Sequence, residues 1–400
     1  MKKTLSALAV ASILVGNAMA AVSDNQVRIG VLADMNGPYG DVCGKNCVAA
    51  VQMAVDDFGG KVLDAPIDVI SADDQNKPDL GSAKVREWVD SEKVDVVNGL
   101  VASSVVGAAT QVLTDNAKPA LISGAGSNTF TTKTCTPYNA HWTYDVVALA
   151  NGTVKPLVEK GKKKWFFITA DYAFGHALES VATGVITANG GEVVGSAKAP
   201  LGTTDFSSFV LQAQASGADA VALANAGKDF VNSLKSASEF GLNQQATMVG
   251  LLVFASDTKA IDASTNGDMR LTTGFYWDRD DATREWSQRF MERTGAIPTM
   301  AHAGAYSSTL HYLKSVEQAG TDDGTEVMKV MKANKPDDFF AQNAVLRADG
   351  RMVHDMYQVR VKKAAERANE NDIYEIEQVI PGDQAFGAMV PECDFSQPSS

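Results

Sequence analysis

Apolar strand patterns alternate with amphipathic helix patterns along most of this chain. A buried strand is predicted at residues 27–32 and a helix ending at Phe58 follows it, just as a strand at 165–168 is followed by a helix at 175–189. Such alternation is typical of parallel sheets covered by helices on both faces. The sequence therefore predicts an α/β fold.

The alternation runs in two series, and the second begins near Ala148. A chain of 400 residues exceeds what one hydrophobic core usually holds, so two domains are expected. The last part contains two long helical patterns, at 281–294 and 299–318, and ends in short strands at 353–361 and 374–380. It is too poor in strands to form a third α/β domain, and we expect it to complete the first two.

The first twenty residues have the pattern of a secretory signal peptide. Lys2 and Lys3 precede an apolar run, and a small-x-small pattern formed by Ala18 and Ala20 precedes Ala21. This order predicts cleavage after Ala20, and an Ala rather than a Cys at position 21 argues against a lipid anchor. We expect an exported, soluble protein of the bacterial periplasm.

The charge of the chain limits its partners. Lys and Arg number 35 against 48 Asp and Glu, which gives a formal net charge of −13. Nucleic acids and anionic membrane surfaces both favour positively charged proteins. We therefore expect no nucleic-acid or membrane-surface partner, and we expect a monomer.

The four cysteines are Cys43, Cys47, Cys135 and Cys393. An even number in an exported chain indicates two disulfides, for which three pairings are possible. Cys43 and Cys47 are close enough in sequence to close a local loop, in which case Cys135 pairs with Cys393. A zinc site is the alternative, but no histidine lies near Cys43 or Cys47.

Motifs of catalysis are absent from the sequence. The five histidines have no metal-binding spacing, and neither a GxSxG nor a GxxxxGK[ST] motif occurs. The acidic pairs, such as Asp73 and Asp74, are adjacent residues whose side chains need not face one site. We therefore predict no enzyme activity, no cofactor and no metal.

The order of several segments resembles the branched-chain amino acid ABC-transporter binding proteins. The segments that carry the resemblance are 27–40, 56–60, 67–75, 97–104, 118–125, 171–175, 205–206 and 301–306. Together they cover nearly the whole mature chain in order.

The resemblance implies a type I periplasmic binding protein, with two Rossmann-like lobes joined by a hinge of three crossings. Crossings near Tyr144, Phe275 and Arg351 would fit it. The corresponding division is 21–144 with 276–351 for lobe 1, 145–275 with 352–393 for lobe 2, and a polar tail at 394–400. A small-molecule ligand would be held in the cleft between the lobes, and the lobes would close around it.

Two segments of lobe 1 are candidates for binding the ligand. Ser103 and Ser104 follow one predicted strand, and Ala125 and Ser127 lie just after the next. Ligand sites of open α/β sheets gather at the carboxyl ends of strands, where backbone amides can hold a carboxylate. The resemblance implies that Ser103, Ala125 and Ser127 hold the α-carboxylate of the ligand. The alternative is that these residues only cap helices and shape turns.

Lobe 2 supplies further candidates. The resemblance places an aromatic side chain against the ligand at Phe174, with Tyr172 nearby, and a contact at Asn225. At Leu252, or at Leu251 beside it, amino-acid binders have an acidic residue for the ligand ammonium group. A buried ammonium group needs such a partner, and the sequence has no carboxylate there before Asp257.

Aromatic residues near the predicted crossings suggest what the ligand is. Tyr144 and Trp277 belong to this group, and an aromatic cleft suits an apolar or aromatic acid, or a quaternary ammonium compound. The alternative is that the aromatic residues only pack the hinge. We predict the solute-binding component of an ABC importer that docks on inner-membrane permease subunits. A sensory receptor of the same fold is the alternative.

Overall fold

The computed structural model describes residues 22–340 and 343–396. The predicted signal peptide at 1–20 lies outside the described residues, as does most of the predicted polar tail. None of the helices in the described part combines the length and apolar character needed to cross a membrane.

The strands of the described residues form two parallel sheets, an antiparallel sheet and a hairpin. They are β1 (Val27–Ala33), β2 (Lys61–Val62), β3 (Ala65–Asp73), β4 (Val96–Gly99), β5 (Ala120–Ile122), β6 (Asn139–His141), β7 (Lys164–Ala170), β8 (Glu192–Ala199), β9 (Ala220–Ala224), β10 (Thr247–Gly250), β11 (Arg270–Thr273), β12 (Val345–Leu346), β13 (Met352–Val353), β14 (Met356–Val361) and β15 (Tyr374–Ile380).

Helices connect these strands in alternation. They are α1 (Gly44–Phe58), α2 (Pro78–Glu87), α3 (Ser103–Asp115), α4 (Val146–Glu159), α5 (Ala173–Ala188), α6 (Ser207–Ala215), α7 (Gly227–Glu239), α8 (Ala255–Lys259), α9 (Ala263–Asn266), α10 (Asp281–Thr294), α11 (Met300–Ala319), α12 (Gly324–Ala333) and α13 (Gly382–Ala385).

The first lobe is built on a sheet with the order β2-β3-β1-β4-β5-β6. Its strands are parallel except for β2, which pairs antiparallel with β3. Ile29 of β1 aligns with Val69 of β3 on one side and with Val96 of β4 on the other. The late helices α10 and α11 pack against α1 of this lobe, so the C-terminal part of the chain contributes to its core.

The second lobe contains the parallel sheet β10-β9-β7-β8 and the antiparallel sheet β11-β14-β15. Every residue of β9 is buried, as expected for a central strand covered on both faces. Helix α4 packs against β11 and β14 of the antiparallel sheet and against α5, which covers β7 and β8 of the parallel sheet. The mixed α/β fold with parallel sheets is the predicted one.

Three chain segments cross between the lobes side by side. Arg351 is fully buried, and its Nη1 donates to the carbonyl oxygen of Tyr144 at 3.0 Å. A ring nitrogen of His354, Nε2, lies 2.6 Å from the carbonyl oxygen of Thr143. A Cβ on Gly274 would lie 3.2 Å from the His354 ring and 3.4 Å from the Thr143 oxygen, so this crossing packs tightly against the other two. The exact lobe boundaries drawn from the sequence stay a prediction.

Both disulfides have the pairing favoured by the sequence. Cys43 is bonded to Cys47 in the first turn of α1, and Cys135 is bonded to Cys393. The second bond ties the C-terminal end of the chain to the loop before β6, although 258 residues separate the two cysteines.

Candidate ligand-binding cleft

Loops at the carboxyl ends of strands from both lobes surround one cavity. Strands β1, β4 and β5 lead into the lobe 1 side, and β7, β9 and β10 lead into the lobe 2 side. This is where α/β sheets place their ligands. The lining residues are Tyr39, Val42, Val101, Gly124, Gly126, Tyr144, Tyr172, Phe174, Ala226, Leu252 and Phe254.

Five of the eleven lining residues in the described part of the chain carry aromatic rings. The ring centroids of Tyr172 and Phe174 are 6.0 Å apart, and those of Tyr144 and Phe254 are 5.9 Å apart. A Cβ on Gly126 would lie 2.8 Å from the Phe174 ring and 3.2 Å from the Tyr144 ring, so only glycine fits between them. The walls are therefore apolar and closely packed.

The cavity is small because the lobes are closed. Its volume is about 10 Å³, which is room for about one water molecule. An organic ligand therefore needs the lobes to separate, or the rings to turn, before it can enter.

Direct hydrogen bonds hold the lobes together at the mouth of the cleft. The hydroxyl oxygens of Tyr39 and Tyr172 are 2.6 Å apart. The amide of Lys228 donates to the Pro38 carbonyl at 3.2 Å, and Lys228 Nζ donates to the Asn36 carbonyl at 3.3 Å. Burial raises the pKa of Tyr39 well above its usual value and also raises that of Tyr172, so both hydroxyls keep their protons near neutral pH.

The predicted carboxylate residues lie together beside the cavity. Ser103 begins α3, and its Oγ accepts a hydrogen bond from the Ser127 amide at 3.3 Å. Within the described residues, the amides of Ala125 and Gly126 have no acceptor, although both residues are buried. Buried amides almost always have a partner, and the N-terminus of a helix favours negative charge. The arrangement can therefore hold an anion.

Other predicted residues take different places. Ser104 lies in the first turn of α3 and is half-buried. The side-chain Nδ2 of Asn225 donates to Ser233 Oγ at 3.1 Å, and Nε1 of Trp277 donates to the Asn371 carbonyl at 2.7 Å. The structure thus brings Tyr144, Tyr172, Phe174 and Leu252 to the cavity, with Ser103, Ala125 and Ser127 beside it. Asn225 and Trp277 are not among its lining residues.

Sequence reasoning missed several lining residues, above all Tyr39, Val42 and Phe254. Tyr39 and Val42 lie in the loop after β1, and Phe254 lies in the loop after β10. Ligands of α/β folds bind at the carboxyl ends of strands, and this rule points to both loops. Val101 and Ala226 carry no distinguishing signal in the sequence.

Among the described residues, those that line the cavity include no carboxylate. Asp257, the nearest acidic residue after Leu252, is buried, and its Oδ2 accepts a hydrogen bond from the Phe254 backbone N–H at 3.0 Å. Burial raises its pKa from 3.8 to about 7. Asp229 accepts the amide of Gly202 at 3.1 Å, and burial raises its pKa to about 6. Both carboxyl groups are thus used by backbone amides outside the cavity.

Known proteins are similar to this chain in both sequence and architecture. A family model described as periplasmic binding protein matches residues 26–366. A periplasmic binding protein from Burkholderia mallei is 44% identical, with a TM-score of 0.90 over 93% of this chain and 98% of the other. A branched chain amino acid ABC transporter periplasmic ligand-binding protein from Burkholderia xenovorans LB400 is 37% identical, with a TM-score of 0.80 over 91% and 97%.

A more distant structure shares the fold. The solute-binding protein of an ABC transporter from R. palustris, solved in complex with benzoate, is 20% identical, with a TM-score of 0.79 over 91% of this chain and 100% of the other. At this identity the likeness concerns the fold alone. The family model and the two Burkholderia proteins are sufficient for an assignment: the chain belongs to the periplasmic binding protein family and is a solute-binding protein of an ABC transporter.

Proposed function

We propose that this protein captures a small aromatic carboxylate in its cleft and delivers it to permease subunits in the inner membrane. The observation that carries the proposal is a pair of buried amides, at Ala125 and Gly126, that have no acceptor among the described residues and lie next to a cavity lined by aromatic rings. One end of the ligand would be an anion and the rest would be apolar.

The anionic end is supported by several donors that converge. The amides of Ala125 and Gly126 lie beside the start of α3, a helix of 13 residues whose first amides carry partial positive charge. The Ser103 hydroxyl accepts a bond but donates none among the described residues, so its proton is available. Together these groups suit a carboxylate, although no lysine or arginine is among the described residues that line the cavity.

The absence of an acidic lining residue argues against an α-amino acid. An ammonium group buried in the cleft would need a charge or several acceptors around it. Leu252 stands where such a residue would be expected, and Asp257 is already bonded to the Phe254 amide. Although one relative is named for branched-chain amino acids, the lining of this cleft favours an acid without an amino group. The R. palustris complex is an example of this fold enclosing an aromatic acid.

Delivery would use closure of the lobes. A ligand that contacts both lobes stabilises the closed form, and a permease that docks across both lobes can recognise it. The predicted signal peptide at 1–20 would bring the protein to the periplasm, where external solutes are met.

The test is a binding screen on mature protein that has been unfolded and refolded to remove carried-over ligand. The panel contains benzoate, 4-hydroxybenzoate, benzamide and leucine. A tight ligand at a hundredfold excess over its Kd raises stability by about 2.7 kcal/mol, and we expect this from the acids and not from leucine. A thermal shift with leucine alone would refute the proposed ligand class.

A double substitution tests the anion site. Ser103→Ala with Ser127→Ala should weaken binding of the acid by about 1–3 kcal/mol, because hydrogen bonds to a charged group are lost. Ser82→Ala is the matched control, because Ser82 is a half-buried serine of α2 in the same lobe and does not line the cavity, so this variant should bind normally. Unchanged affinity in the double variant would remove both serines from the site.

A further inference from the structure

His141 holds the peptide group between Ala125 and Gly126 from behind. Its Nε2 lies 2.7 Å from the Ala125 carbonyl oxygen. A carbonyl oxygen can only accept, so Nε2 must carry the proton. The C=O and the N–H of one peptide unit are coplanar and point in opposite directions. The bond to the Ala125 oxygen therefore turns the Gly126 N–H away from His141, and Gly126 lines the cavity.

The His141 ring itself is firmly placed. It lies in β6 with no exposed surface, its amide donates to the Gly350 carbonyl at 2.7 Å, and its ring packs edge-on against Phe130 at 5.8 Å. Burial, and after it the nearby charge of Arg351, lower its pKa well below the usual value. The ring is therefore neutral at the pH of the periplasm. It carries a single proton, and the bond to the Ala125 oxygen places that proton on Nε2.

The preceding peptide unit is held in the same way. The Tyr144 hydroxyl donates to the Gly124 carbonyl oxygen, and this bond sets the direction of the Ala125 N–H. Two consecutive peptide units are thus each held by a side chain on the carbonyl, and the amides of these two units have no acceptor among the described residues. This pattern leaves both N–H groups for a ligand.

We propose that His141 is a positioning residue of the anion site, which directs the Gly126 amide into the cleft without touching the ligand. The proposal rests on the carboxylate site of the proposed function and adds a residue on the far side of that site from the ligand. It explains why a histidine occupies a fully buried strand position, since an apolar side chain of similar size could not bind the Ala125 oxygen.

The experiment compares two probes and three variants. His141→Phe keeps an aromatic ring but removes the donor, and His141→Gln supplies an amide donor in its place. The matched control is His311→Phe, because His311 is another buried histidine of lobe 1 whose Nε2 lies 2.9 Å from a carbonyl oxygen, that of Met331. Calorimetry with benzoate and with benzamide gives the affinities.

Charge-assisted hydrogen bonds are roughly twice as strong as neutral ones. His141→Phe should therefore weaken the binding of benzoate about tenfold and the binding of benzamide only about threefold. His141→Gln should restore much of the benzoate affinity. His311→Phe should leave the affinities for both benzoate and benzamide unchanged. If His141→Phe lost equal affinity for both probes, the cleft would be generally damaged. If its benzoate affinity were unchanged, the Gly126 amide would need no support from His141. Either result overturns the proposal.

A measurement on the unsubstituted protein needs neither a ligand nor a folded variant. Nitrogen NMR of the histidine rings should show His141 neutral, with the proton on Nε2, from pH 5 to pH 8. A ring protonated on Nδ1, or one that titrates in this range, would overturn the proposal. If the protein bound neither probe, the ligand class of the proposed function would fail, while the NMR result would still decide the role of His141.

Discussion

The two disulfides should contribute very differently to stability. Cys135 and Cys393 are separated by 258 residues, and Cys43 and Cys47 by 4. When a crosslink restricts the unfolded chain, the entropy removed grows with the logarithm of the loop length. For these separations the stabilisation is about 5.6 kcal/mol for the long loop and about 1.9 kcal/mol for the short one, a difference of about 3.7 kcal/mol.

The packing that is lost with the buried sulfur atoms reduces this difference in stabilisation between the two disulfides. Cys43, Cys47 and Cys393 are fully buried and Cys135 is partly exposed, so the short-loop variant loses more buried sulfur. With about 1 kcal/mol for each buried group removed, Cys135→Ala with Cys393→Ala should still cost at least about 2 kcal/mol more than Cys43→Ala with Cys47→Ala.

Urea unfolding of both double variants measures this difference. The comparison requires coincident transitions by tryptophan fluorescence and circular dichroism, because a single free energy of unfolding describes each variant only when unfolding is cooperative. The unsubstituted protein under oxidising conditions is the reference. If the two variants lost equal stability, or if the Cys43–Cys47 variant lost more, loop length would not be the governing quantity and the reasoning would be refuted.

Two further predictions concern the cleft and its surroundings. Tyr39→Phe removes the hydroxyl contact with Tyr172 between the lobes, worth about 1 kcal/mol, so the ligand-free protein should open and its radius of gyration in X-ray scattering should rise. Tyr312→Phe is the control, because the buried Tyr312 hydroxyl has no partner among the described residues; an equal radius in both variants would contradict the prediction. Burial raises the pKa of Asp257 from 3.8 to about 7, so the folded protein binds a proton there that the unfolded chain releases, and this carboxyl lowers stability as the pH rises through that range. Asp257→Asn should therefore become more stable relative to the unsubstituted protein between pH 4 and pH 7 in thermal unfolding, and a constant difference would count against it.

Long periodic elements could be predicted from the sequence with little error. The helix expected at 281–294 is α10, and the strand expected at 374–380 is β15, with the same bounds. The helix expected at 299–318 is α11, displaced by one residue because Thr299 caps it through its side chain. Apolar spacing is a local property of the chain, and it persists over enough residues here to define the element.

Short strands could not be predicted, because they form by pairing with other strands and have too few residues to show an apolar pattern of their own. The strand expected at 353–361 was wrong at its start: Val353 belongs to β13 and pairs with Val345, and β14 begins at Met356. Strand β6 has only three residues, Asn139–His141, and it carries polar side chains in a buried position. Three residues give no measurable periodicity, and what makes them a strand is the edge of β5.

The α/β class, the resemblance to a binding-protein family and the residue types at the strand ends all follow from the amino-acid sequence. Which of these residues meet depends on how the lobes pack together. Tyr39 reaches Tyr172 across 133 residues of chain, whereas the Trp277 indole turns to Asn371, 94 residues away. Strand and helix patterns depend on neighbours in the chain, but the direction of a side chain at a loop depends on which lobe packs against it. The composition of the cleft is therefore a property of how the two lobes close.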